Sequence, residues 1–381
     1  MIARGMANDD FDGQPLQVNI VTPRARGFAA SPAQVIETLP YWARRLPYRF
    51  VRSLAFSTIE DAFLRTTRTD TARNHGAYIW PNASLKTINE LKRAEIKVFR
   101  EMINGPRWVA KRILDKAYGR LGITASHGLD EASSEEEREA LHAADYVFSP
   151  NAMVTASLLE TGLPPQRILE ASYGWDPQRF SGTERLLPPA DGVTILFAGT
   201  ICVRKGAHLL LDYWARSKLR GRLVLAGTME PAIKASCASL LARDDVKVLD
   251  YVSDAGALYR SADIFAFPTL EEGGPQVTYE ACGCALPVIT TPMGAGRIAR
   301  DGLEGFVLDP YDAAGWITAM QTLAEDVSRR SAMSLKARET AEFYHWDLVS
   351  ARRKQQVLDR LQTTPGRGCR KRALVDNAQP G

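Results

Sequence analysis

The sequence has few of the features that mark membrane, secreted or metal-binding proteins. No stretch approaches eighteen uninterrupted apolar residues, and the opening MIARGMANDDFDG lacks the apolar core of a secretory signal. Neither membrane spanning nor export is supported, and a cytoplasmic location is expected. The cysteines, at 202, 237, 282, 284 and 369, are odd in number and lack paired metal-ligand spacing. They read as reduced thiols in apolar segments, and Cys282-x-Cys284, with no His or second Cys pair nearby, reads as packing, so no metal site is expected. Neither G-x-x-x-x-G-K-[ST] nor G-x-G-x-x-G occurs, which removes the fingerprints of P-loop nucleotidases and NAD-dependent dehydrogenases. A net charge of +4 is too mild to imply nucleic acid.

What is present is globular. The 381 residues are 45% hydrophobic and 24% charged, more chain than one core usually serves, so two domains are expected. In the first half, VNIV (18–21), GAYIW (76–80), IKVFR (96–100) and DYVFS (145–149) are short apolar runs separated by helical patterns, a βα alternation. A helix is predicted over 106–121, with Pro at its start and Gly122 past its end. Another over 133–144 is expected to open with Ser133 or Ser134 as N-cap and glutamates in its first turn.

Composition shifts at FSGTERLLPPADG (180–192), polar and rich in Pro and Gly, and the strong strand VTILFAGT follows. From there strands VTILFAG, GRLVLAG, VKVLDYV, DIFAFP and PVITT alternate with helices HLLLDYWARS, PAIKASCASLLA, AGALYRSA and TYEACGC. Near-continuous Val, Ile, Leu and Phe runs belong to strands buried on both faces, so a parallel, Rossmann-like sheet is predicted. Domains are expected at 1–183 and 184–345. A helix at 346–362 would return to the first domain, and a disordered basic tail would occupy 363–381.

In such sheets ligands bind beyond the carboxyl ends of the strands, where helix N-termini receive phosphate. Two segments have the chemistry for this. In FAGTICVRKGAHLLL (197–211) a buried strand ends at Gly199, and Arg204, Lys205 and Gly206 precede a helix. Close backbone approach plus two cations suits a diphosphate, although solvated charges on a βα turn would look the same. In FPTLEEGGPQVTYEACGCALPVITT (267–291) a strand ends at Pro268, and Glu272, Gly273, Gly274 and Pro275 lead into a helix from Gln276 and Val277. Glu280 follows in its early turns. Carboxylates beside an anion site are explained by a nucleotide sugar, whose hydroxyls donate to them while amides and cations hold the diphosphate.

Glu272-x7-Glu280 followed by A-x-x-x-x-L-P-V-I is similar to the E-x7-E signature of family 4 retaining glycosyltransferases. FAGTICVRKG, RSADIFAFPTLEEG and TTPMGAGRIARDGLEGFVLDPYD resemble other segments of that family, and AADYVFSPNAMVTASLLETGLPPQRILEASYGWDPQRF resembles its lead into the linker. The likeness is good over about 140–350 and weak elsewhere. It implies an α/β GT-B fold of two facing Rossmann-like domains. It implies sugar transfer with retention from a UDP, GDP or ADP sugar to a saccharide or lipid-linked acceptor, without metal or cofactor, as in bacterial polysaccharide synthesis. Carried over by residue, it puts Lys205, helped by Arg204, on the donor diphosphate. Glu272 would face the donor sugar and Glu280 the ribose, with amides around Gly274 and Pro275 on the phosphates.

Two departures stand out. Thr200 occupies a position often Arg in the family, which makes Arg204 a replacement. The first domain lacks the family's Gly-Gly loop, offering only Gly27, and its histidine falls near IKVFREMING, where Arg100, Glu101 and Asn104 stand; His75 is a substitute or a loop histidine. A nucleotide-sugar epimerase and a donor-binding chain without transfer activity are the competing classes. Separately, YWARRLPYRFVRS (41–53) mixes four arginines with aromatic residues. This suits an anionic membrane surface or lipid-linked substrate, or else an ordinary surface helix interrupted by Pro40 and Pro47.

Overall fold

The computed structural model describes residues 1–7, 16–24, 33–69 and 76–362, so His75 and the basic tail lie outside the described residues. The chain has the GT-B fold, two α/β domains built on parallel sheets. In the first, β1 (Asn19–Thr22) pairs with β2 (Gln34–Glu37), apart from a sheet of β3 (Gly76–Ile79), β4 (Lys97–Glu101), β5 (Tyr146–Ser149) and β6 (Ile168–Glu170). In the second, β7 (Val193–Ala198), β8 (Gly221–Ala226), β9 (Val246–Leu249), β10 (Ile264–Phe267), β11 (Val288–Thr290) and β12 (Gly305–Val307) stand in the order β12-β11-β10-β7-β8-β9. The order reverses between β7 and β10, and that gap is the switch point where α/β sheets bind ligands.

The predicted strands all form. β2, β6 and β12, of three or four residues each, were not anticipated. The helix at Glu131–Ala143 is capped by Asp130, not by Ser133 or Ser134. Asp130 accepts from the Ser133 amide at 2.7 Å, and Ser133 sits at the third helical position as the other half of a capping box. The segment read as one helix, PAIKASCASLLA, breaks at Cys237 into Pro231–Ser236 and Ala238–Leu241. Pro47 does not interrupt a helix but precedes one, Tyr48–Thr69, since the missing N–H costs nothing ahead of a first turn.

The β4 strand explains how the first domain is covered. Successive side chains alternate between faces. Val98 packs with Ile88, Leu91 and Leu141 from the helices on one side. Phe99 packs with Phe148 and Leu169 against the helix Trp346–Gln362 on the other, through Trp346, Val349, Val357 and Leu361. That helix therefore belongs to the core of the first domain, although it follows the whole second domain in sequence. The chain crosses over at 171–176 and returns at 341–346, and the two passes are tied together. The Trp175 amide donates to Tyr344 O at 3.0 Å, its indole to Ala341 O at 2.9 Å, and the Trp346 amide to Trp175 O at 3.1 Å.

Alternation also separates Arg100 from Glu101, two residues suggested together for the acceptor side. Glu101 lies on the face under the returning helix, fully buried, where Arg353 and the Tyr78 hydroxyl both bind its carboxylate. Arg353 further donates to Tyr78 Oη at 2.7 Å and to Ser172 O at 2.9 Å. Burial pushes the Glu101 carboxyl up from its ordinary value, and the Arg353 charge opposes this. Glu101 is thus committed to holding the returning helix, and it does not line the interdomain cleft.

Removing one partner from a buried pair strands the other charge. Arg353→Ala is expected to lower the unfolding free energy by about 3–5 kcal/mol, while the double replacement Glu101→Leu, Arg353→Leu loses much less. Denaturant unfolding followed by tryptophan fluorescence reads both, and equal losses would contradict the role given to this pair.

Candidate active site

The switch point is assembled by two loops laced to each other. The loop after β7 runs through Thr200, Cys202, Arg204 and Lys205 to Gly206, and the loop after β10 runs from Pro268 to Pro275. Gly206 has φ +71°, and a Cβ there would stand 1.9 Å from Pro268 O, so only glycine lets the loops approach this closely. The Leu270 amide donates to Arg204 O at 2.9 Å. Lys205 folds back over the end of β7 at Gly199, with its Nζ 5.2 Å from the centre of the Phe267 ring.

Cations and carboxylates alternate across this junction. Arg204 Nη1 lies 3.2 Å from Glu271 Oε2 and 3.5 Å from Glu272 Oε2, and Lys205 Nζ lies 3.4 Å from the same Glu272 oxygen. That oxygen is buried and has no hydrogen-bond partner among the described residues. Burial works against the Arg204 charge, but Glu272 and Glu271 outweigh it and hold the guanidinium above its ordinary value. Glu280, also buried, accepts from the Tyr259 hydroxyl at 3.0 Å and from Gln276 Nε2 at 2.9 Å. Burial raises its carboxyl, with those two donors and more distant Arg179 and Lys205 pulling it down. The structure therefore brings Arg204, Lys205 and Glu272 into contact, while Glu280 meets Tyr259 and Gln276 and feels Lys205 only as a more distant charge.

The expected phosphate-capping amides are engaged differently. Pro275 has no N–H. The Gln276 amide donates to Gly274 O at 2.8 Å across an inverse γ-turn at Pro275 (φ −73°, ψ 72°), and the Gly274 amide points to Ile103 O of the first domain at 3.4 Å. Gly273 and Gly274 are required by this contact. A Cβ on Gly273 would stand 2.4 Å from Ile103 C and O, and one on Gly274 would stand 2.4 Å from the Tyr173 ring. Val277, in the first turn of the helix Gln276–Gly283, packs against the core of the second domain.

Two residues that hold this interface were not singled out from the sequence. Glu271 Oε1 accepts the Gly105 amide at 2.7 Å while Oε2 faces Arg204, so one buried carboxylate joins the domains. Its pKa is raised by burial, with Arg204 opposing and Glu272 adding to the rise. Asn151 donates from Nδ2 to Gly273 O at 2.7 Å and to Glu272 O at 3.2 Å, while its Oδ1 caps the helix Ala152–Glu160 through the Val154 amide at 2.8 Å. The signal for Asn151 was an Asn two positions past the end of β5, in S-P-N. Glu271 has no local signal, because its partner amide lies 166 positions away.

Between the domains lies a cleft of about 600 Å³. Thr200, Cys202, Arg204 and Glu271 line one wall, and Ile103, Asn104, Gly105 and Arg107 line the other. Asn104 thus sits where an acceptor residue was expected. Arg100 is buried below, donating to Pro81 O at 2.8 Å, and its Nε and Nη1 lack hydrogen-bond partners among the described residues. Burial lowers its pKa, and Glu137 opposes this.

A cleft between two Rossmann-like domains, with cations and carboxylates at the switch point of the second, is the arrangement of GT-B proteins. Residues 192–326 match the family described as Glycosyl transferases group 1. The chain is 30% identical over 243 residues to the D-inositol 3-phosphate glycosyltransferase of Kineococcus radiotolerans, covering 55% of this chain and 56% of that protein. The chain thus spans about half the length of that relative. Sucrose-phosphate synthase from Thermosynechococcus elongatus superposes with a TM-score of 0.67 at 17% identity, over 87% of this chain and 84% of that one. Anabaena HepE in complex with UDP-glucose superposes with a TM-score of 0.61 at 15% identity, over 87% of each chain.

Gly273→Ala is expected to force the Ile103–Asn104 backbone away and hold the cleft open, at a cost of about 1–3 kcal/mol typical of overpacking. Small-angle scattering should show a larger radius of gyration with both domains folded. An unchanged radius would contradict the backbone contact.

Proposed function

We propose that the chain is a retaining glycosyltransferase that moves a hexose from a nucleoside-diphosphate sugar to a saccharide or lipid-linked acceptor, without metal, in bacterial surface polysaccharide or glycoconjugate synthesis. The carrying observation is the contact of Arg204 and Lys205 with Glu272 at the switch point, with Glu280 buried on the helix that follows. The match of residues 192–326 to a glycosyl transferase family and the UDP-glucose held by HepE support the reading.

In this mechanism the donor diphosphate takes the place Glu272 now has beside Lys205 and Arg204. The two cations carry the charge that builds on the leaving diphosphate as the bond to the sugar lengthens, and preorganised charge of this kind is usually the largest catalytic contribution. Glu272, its Oε2 then released, accepts from a sugar hydroxyl. Glu280 exchanges its bond to Gln276 for the ribose hydroxyls. Release of the Gly273–Gly274 loop from Ile103 would free amides for the phosphates, so donor entry is coupled to opening of the cleft.

Lys205→Ala is expected to reduce kcat by about 10²–10³-fold. Glu280→Ala is expected to weaken donor binding by about ten-fold or more, the worth of hydrogen bonds to a charged group. Acceptor-dependent release of nucleoside diphosphate reads the first, and thermal stabilisation by UDP, GDP, ADP and their sugars reads the second. Transfer should persist in excess chelator. Normal kinetics in both variants would overturn the site assignment, and donor stabilisation without any transfer would identify a donor-binding chain instead.

A further inference from the structure

The first domain has a second face whose composition the donor cleft does not explain. Tyr41, Trp42 and Phe50 are 69%, 64% and 68% exposed, with Trp80 at 53% and Leu46 at 40%. Helix Tyr48–Thr69 buries Val51 and Ala55 against Leu39 and Ala43, which turns Phe50, Arg52 and Phe56 outward. Residues 41–53 contain four arginines and no Asp or Glu. Arg44 is half-buried, paired with Glu37 and donating to Leu39 O at 2.7 Å. Arg45 and Arg52 are exposed, with guanidiniums 5.0 Å from the Tyr41 ring centre and 5.6 Å from that of Phe56. Cations and amphipathic rings are thus offered side by side.

This face is continuous with a groove of about 290 Å³ lined by Val21, Ile59, Phe63 and Ile79. The groove shares Phe56 and Trp80 with the exposed face and Asn82 with the interdomain cleft.

We propose that this face docks on an anionic lipid bilayer, with Tyr41, Trp42, Leu46 and Phe50 in the headgroup region and Arg45 and Arg52 on lipid phosphates. The docking delivers a lipid-linked acceptor to the cleft along the groove, a consequence that rests on the transferase reading above. Tyr and Trp favour the interface because one end of each ring is apolar and the other wet, and basic residues add attraction to anionic headgroups. A second copy of the chain is disfavoured, because the same arginines would face each other. Among the described residues no helix is long and apolar enough to cross a membrane, so the contact is peripheral.

The test is cosedimentation of the full chain with vesicles of phosphatidylcholine, with and without phosphatidylglycerol. Binding is expected only with the anionic lipid and should fall with added salt. The pair Arg45→Glu, Arg52→Glu should weaken it by about five-fold or more per arginine. The pair Trp42→Ser, Phe50→Ser should abolish it. Thermal stabilisation by nucleoside diphosphates should be unchanged in both pairs, which keeps this result separate from the donor-site assignment. Absence of binding by the unaltered chain, as a face reserved for an acidic protein would give, would overturn the proposal. So would equal binding to both vesicles, or variants that bind as well as the parent.

Discussion

The arrangement of the molecule depends on a place where two backbones meet with no side chain between them. Gly273 lies against Ile103 and Asn104 so closely that a methyl group would overlap the peptide. Around it, Asn151 and Glu271 are bonded across the same boundary. Glu271 also faces Arg204, so the group that measures the distance between domains is the group that positions a cation at the switch point. A change in the distance between the domains would therefore also change the surroundings of Arg204, because both depend on one carboxylate.

This region buries more carboxylates than cations. Three carboxylates, at Glu271, Glu272 and Glu280, are buried beside two cations, and burial raises the pKa of Glu271 and of Glu280. Glu272 Oε2 has no hydrogen-bond donor among the described residues. Such buried, half-satisfied polar groups cost stability and are kept where a site is prepared for something else. On the proposed function, a diphosphate would take over the charge that the cations now find on Glu272, and sugar hydroxyls would donate to that carboxylate.

The second domain was legible in the sequence because most of its strands are near-continuous apolar runs alternating with helices, and because Arg204, Lys205, Glu272 and Glu280 lie in two short segments at strand ends. Local order carries that information. The first domain was less so. Arg100 and Glu101 are neighbours in sequence, yet the strand sends them to opposite faces, and Glu101 meets Arg353 across 252 positions. The amides around Gly274 and Pro275 were expected to face phosphate, and the structure adds a domain contact at the same loop, because sequence spacing cannot tell which bodies approach a bare backbone. Asp130, by contrast, is a local signal, but Ser133 three positions later is an equally common N-cap residue.

The helix Trp346–Gln362 completes a core begun some 250 positions earlier, with Phe99 and Phe148 among its contacts. During synthesis the first domain therefore emerges without the element that covers one face of its sheet. The second domain has a contiguous sequence and no such debt, and it can fold while its predecessor waits. Segments made first would be among the last to become fully buried, and until then Phe99, Phe148 and the carboxylate of Glu101 would share an open surface on the ribosome.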